Sequence, residues 1–162
     1  MANGQIEGLD DIIRKLKLLP EKIGNNAVRR SLRKGANVIA AKARVNAKRI
    51  DDPESRERIH ANIGVASGGR KRERAAGGVM MRVGVRGGAR LSRTAHIGTN
   101  KKGETTFLEG GNTTHWRMVE LGTSTMAAQP FLVPAAAEGA GRAVAVVVAD
   151  LNKQIDIEIA KL

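Results

Sequence analysis

"MVELGTSTMAAQPFLVPA", residues 118–135, is the stretch on which the reading of this chain turns. It holds a single charge, Glu120, among apolar residues, with one glycine, Gly122, and two prolines, Pro130 and Pro134. Trp116, just upstream, and Phe131 are two of only three aromatic residues in the chain. Residues 116–121 are long enough for one or two helical turns, or for a strand, with Trp116 and Val119 or Met118 turned inward. Gly122 fits a stop, because a left-handed backbone suits only glycine cheaply. Glu120 is expected to accept hydrogen bonds from nearby backbone N–H groups or to pair with an arginine, since a buried carboxylate needs partners. Residues 123–129 read as a loop, and the two prolines stiffen the return to helix. The segment is therefore expected to seat a C-terminal helix, with Phe131 as its peg. Direct contact with a partner is the other reading.

Downstream, Val144, Val148, Leu151, Ile155, Ile159 and Leu162 recur at intervals of three and four, the period of an amphipathic helix. Upstream, "GLDDIIRKLKLLP" predicts a short helix over 9–19, with Asp10 and Asp11 at its positive end and Pro20 as its stop. A second, long helix is expected over 20–48. Val28, Leu32, Ala36, Ile39 and Ala43 form its apolar stripe, and its eight arginines and lysines lie mostly off that stripe with no acidic residue answering them. Gly24 and Gly35 count against it by about 1 kcal/mol each relative to Ala.

Between the helices the period changes. Residues 53–60 are either a short helix started by Pro53 or a loop. "ANIGVA" from Ala61, "VMMRVGVR", "TAHIGT" and "ETTFLE" read as strands, the last two joined across Asn100–Gly103. The fold class expected is α+β: a three- to four-stranded antiparallel sheet packed by a long N-terminal and a long C-terminal helix. At 162 residues the chain reads as one domain, with flexible basic loops at 66–78 and 86–93.

Composition excludes much chemistry. Zero cysteine removes disulfides, thiolate metal sites and cysteine nucleophiles. His60, His96 and His115 lie on different elements without ligand spacing. Neither phosphate-cradling glycine pattern is present, so neither an enzyme nor a cofactor is expected. The first residues lack a secretory pattern. The longest apolar run, residues 143–149, falls far short of the 18 or more that a span needs, so no membrane partner is expected.

Net charge is +12, and it is concentrated: residues 29–102 hold twenty basic and five acidic side chains. Arg70, Lys71, Arg72, Arg74, Arg86, Arg90 and Arg93 are the candidates for contact with a partner or with DNA. An acidic protein neighbour, passing DNA and plain solvation are the three readings of this charge. The near absence of aromatics removes a single-strand stacking platform, leaving only sequence-independent phosphate contact.

Residues 116–135 resemble the signature of a tailed-phage family of neck, head–tail joining and tail-completion proteins, the gene-product-ten-like tail components. In that family an aromatic-rich segment leads into Val-Glu-x-Gly-Thr, matched here by Val119, Glu120, Gly122 and Thr123. Ala-x-Pro-Phe-x-x-Pro-Ala then opens a C-terminal helix, matched by Ala128, Pro130, Phe131, Pro134 and Ala135. The departures are His115-Trp116 where tyrosine is usual, and the Gly- and Arg-rich middle. The resemblance implies a non-enzymatic virion protein at the head–tail junction or top of the tail, assembled in the host cytoplasm. It further implies a ring, a hexamer, of copies around the DNA channel, in contact with neighbouring neck or tail proteins. The alternative is a small basic protein that binds nucleic acid by charge alone.

Overall fold

A computed structural model of the chain describes residues 9–54, 57–86, 96–99, 105–107, 110–111 and 113–161. Two 28-residue helices dominate it, α2 over Glu21–Lys48 and α6 over Leu132–Ile159. Each would be about 42 Å long at 1.5 Å per residue. Ahead of α2, helix α1 covers Leu9–Leu16, with Asp10 and Asp11 in its first turn and Arg14 and Lys15 in its last. The Pro20 carbonyl accepts the N–H groups of Ile23 and Gly24 at 2.9 and 3.0 Å, so the proline opens α2 where its missing N–H costs nothing. The remaining elements are α3 (Ile59–Asn62), β1 (Ile63–Ser67), α4 (Arg70–Ala75), β2 (Met81–Val85), β3 (His96–Thr99), β4 (Thr105–Phe107) and α5 (Trp116–Leu121). The chain is α+β, and its contacts gather into two compact units through which α2 and α6 both run.

The first unit comprises Met1–Val38, Ala66–Arg82 and Gly141–Leu162. Its core is Ile12, Leu19, Ala27, Leu151 and Ile155, with Leu16, Ile23, Val28, Val148 and Ile159 packed around them. Here α1 covers the start of α2 and the end of α6. A Cβ on Gly35 would run into the Val147 side chain and lie 2.8 Å from the Ala143 carbonyl oxygen. The glycine that propensity counts as a weakness is what lets these two helices approach.

Charges tie this unit together. The Ser31 hydroxyl donates to Asp150 at 2.8 Å, and Lys34 pairs with the same carboxylate. Burial pushes the Asp150 carboxyl up, but the Lys34 and Ser31 bonds outweigh it and hold the group below its ordinary value. Lys15 bridges Asp11 and Asp156. Residues 66–78, expected as a loop, contain α4. The helix forms because Arg29 grips Glu73 through two bonds of 2.7 and 3.1 Å, a bidentate pair spanning 44 positions. That pair holds Glu73 below its ordinary value and raises Arg29. The expectation that no acid answers the α2 cations is thus corrected, because the answering acids lie far along the chain.

The second unit comprises Ile39–Val65 and Val83–Ala140. Ala40, Ala43, Ala47, Ile59, Ile63, Phe131 and Ala135 form its core, flanked by Val65, Val83, Val85, Trp116 and Val119. The alanines on α2 leave room for one large ring, Phe131. Arg44 donates twice to the Ile63 carbonyl, at 2.8 and 3.1 Å. Within the 53–60 range, Pro53 and Glu54 are bends and α3 begins at Ile59; its first N–H groups, Ile59 and His60, donate to the Asp51 carboxylate. Ala61, expected to begin a strand, lies in this helix.

Among the described residues, the expected three- to four-stranded sheet is instead two two-stranded sheets, β1–β2 and β3–β4. Bonds from Arg86 N–H to Asn62 O and from Gly68 N–H to Met80 O close the first pair as antiparallel. The second is antiparallel with a bulge between His96 and Gly98, and its expected turn at 100–103 lies outside the described residues. The buried Asn62 side chain binds the chain that returns at Gly110, Gly111 and Thr113. It accepts from Gly110 N–H at 3.1 Å and donates to the Gly111 carbonyl at 3.0 Å and to Thr113 Oγ1 at 2.8 Å. The returning chain is bound by a side chain where a sheet neighbour would use its backbone.

Candidate functional site: the turn that seats the last helix

Residues 116–135 form one hydrogen-bonded structure within the second unit. Helix α5 ends at Gly122, whose N–H returns to the Met118 carbonyl at 2.8 Å and whose φ of 75° lies in the left-handed region. A Cβ there would also lie 2.8 Å from the Ala128 nitrogen, so both strain and space demand glycine. Thr123 then closes a tight turn: its N–H reaches the Met126 carbonyl at 2.9 Å, and its hydroxyl accepts the Met126 N–H at 3.0 Å. Gln129 N–H donates to the Val119 carbonyl at 2.8 Å, bringing the chain back alongside α5.

Glu120 completes the structure. Its carboxylate accepts the N–H groups of Phe131 at 2.8 Å, Leu132 at 3.0 Å and Val133 at 2.9 Å. These are among the N–H groups that a helix start leaves without an internal partner. The next residue, Pro134, has no N–H to satisfy. A carboxylate at this end also meets the positive pole of α6, the better pole for a negative charge. Glu120 is 6% exposed and Phe131 is fully buried, so cap and peg are both shielded from water. Trp116 is half-buried against the same core, with the Arg117 guanidinium 5.4 Å from its ring centre.

The outer face of this turn is apolar and open. Leu121 is 75% exposed, Val133 65% and Met118 54%. Helix α6 continues the pattern: it holds an 18-residue window of mean hydropathy 1.5, of which 17% is buried. By length and composition it could cross a membrane, which the search for unbroken apolar runs missed because Glu138 and Arg142 interrupt the text.

The described basic candidates divide between the two units. Lys71, Arg72 and Arg74 are exposed on α4 in the first unit, and Arg70 begins that helix. Arg86 belongs to the second unit, where its guanidinium lies over Gly64. Arg90 and Arg93 lie outside the described residues. The structure instead brings Asn26, Arg29, Arg30 and Arg33 around a surface depression of about 300 Å³. Their spacing on one helical face was the signal for this group.

The described residues present a long helical pair, a carboxylate-capped turn and exposed apolar surface. Residues 10–122 match the HK97-gp10-like family, described as bacteriophage HK97-gp10, a provisional tail component, and the chain belongs to that family. It is therefore a phage tail component, a virion protein that associates with others. The match includes Trp116 to Gly122 and stops before Pro130 and Phe131. No curated protein and no solved structure matches the chain.

Proposed function

We propose that the chain is a ring-forming subunit that joins head to tail or completes the top of the tail around the DNA channel, with a hexamer as the expected ring. One observation carries this beyond family membership: Leu121, Val133 and the open face of α6 leave more apolar surface in water than a solitary subunit needs. The exposed residues flank a turn held rigid by Glu120, so the surface is preformed for docking. Contacts between different patches of successive copies close into rings.

Sedimentation of the purified protein, alone and with duplex DNA, tests the proposal. A discrete oligomer that Leu121→Asp combined with Val133→Asp converts to monomer, at unchanged melting temperature, is the expected result. A strict monomer at every concentration contradicts self-assembly. Flotation with lipid vesicles, lost in the same double variant, would assign the apolar face to a bilayer instead.

A further inference from the structure

We infer that the α2 face formed by Asn26, Arg29, Arg30 and Arg33, extended by α4, binds the phosphate backbone of duplex nucleic acid. The inference deepens the channel reading by naming the surface that would meet DNA, but it does not require the ring. Asn26, Arg30 and Arg33 are exposed, and Arg29 is half-buried. The four residues line a depression of about 300 Å³ with no acidic and no apolar side chain among them. The carboxylate bonded to this face, Glu73, is already taken up by Arg29 through its two bonds.

That ion pair has a second consequence. It fastens α4 beside α2, and α4 carries exposed Lys71, Arg72 and Arg74 next to Glu73 in sequence. Cations that are about 40 residues apart in the chain are therefore carried by two neighbouring helices of the first unit. Asn26 to Arg33 spans about 10 Å of helix, which equals the axial rise of about three base pairs of B-DNA.

The composition of the depression selects the partner. A protein interface centres on aliphatic and aromatic side chains ringed by polar groups, and none of the four side chains that line this depression is aliphatic or aromatic. Single strands bind through aromatic stacking as well as charge, and no aromatic lines the site. Phosphate contact by arginine needs neither, and it carries no base preference. The chemistry that remains is sequence-independent binding to a duplex.

The test is the affinity of the full chain for a short duplex from 50 to 200 mM salt, with Arg30→Ala/Arg33→Ala against the charge-matched pair Arg142→Ala/Lys153→Ala. Two lost phosphate contacts should flatten the slope of log affinity against log salt by about 2, and weaken low-salt binding about tenfold or more. The Arg142/Lys153 control should stay within about twofold of wild type. Unchanged melting curves would show that both variants fold. Equal loss in the control would overturn the inference in favour of bulk charge. So would equally strong competition by polyglutamate, which would indicate an acidic protein as the partner. An oligomer that binds no duplex would refute this site and leave the assembly reading standing. A monomer that binds duplex through Arg30 and Arg33 would do the reverse.

Discussion

The two units hold the same pair of helices differently, although each has an ion pair between them, Lys34–Asp150 in the first and Lys42–Glu138 in the second. In the second, α6 begins on a buried carboxylate that touches only backbone, and one phenyl ring fills a pocket walled by alanine. In the first, the two helices meet through aliphatic side chains and the Lys34–Asp150 pair, while Lys15–Asp156 ties α1 to α6 and Arg29–Glu73 ties α4 to α2. Backbone capping in a dry site is insensitive to salt, whereas exposed pairs are screened and individually weak. The comparison teaches where the protein is brittle and where it can yield. The preformed apolar turn sits in the brittle unit, and the basic surface in the yielding one.

The largest expected effect is therefore in the second unit. Phe131→Ala should cost about 3–5 kcal/mol, the range for truncating a core Phe. A melting temperature within a degree or two of wild type would show that the ring is not the peg. Glu120→Ala comes next, at about 1–3 kcal/mol, because buried N–H groups lose their acceptor. Glu120→Gln keeps one acceptor oxygen and should fall between it and wild type in chemical denaturation.

Gly35→Ala in the first unit pits two effects against each other. Alanine improves helix propensity by about 1 kcal/mol, while overpacking costs typically 1–3 kcal/mol. The obstacle includes the Ala143 carbonyl, which cannot rotate away as a side chain would. The balance should be a net loss of about 1 kcal/mol, and a gain would mean that α2 and α6 separate easily at this point.

The smallest effect is the response to acid. Asp150 and Glu73 both lie below their ordinary values. Their contribution is present above the ordinary carboxylate range and is lost as pH falls through the lowered values, below about pH 4. Limited proteolysis at decreasing pH should open the α4 segment before the turn at 118–135. Earlier cleavage in the turn would reverse the ranking of the two units.

Periodicity made the helices legible. The intervals among Val28, Leu32, Ala36 and Ile39, and again from Val144 onward, placed α2 and α6 nearly to their ends, and Pro20 and Gly122 marked boundaries. What was hidden depended on distant partners. Nothing local in "GGRKRERAAGG" shows a helix, because α4 is fixed by Arg29, far up the chain. Gly35 reads as a breaker until Val147 is placed against it. The anchoring of Gly110, Gly111 and Thr113 depends on Asn62, a buried polar residue whose partners come about 50 positions later. For the candidate site, the capping of Glu120 by backbone was legible in kind, but the identity of the three donors was not.

The capped turn is the central claim, and amide hydrogen exchange tests it most directly. In wild type the N–H groups of Phe131, Leu132 and Val133 should be protected, although no carbonyl within α6 can accept them. Glu120→Ala should abolish that protection at these three amides while leaving the middle of α6 protected. Equal exchange at the three positions in both proteins would contradict the account.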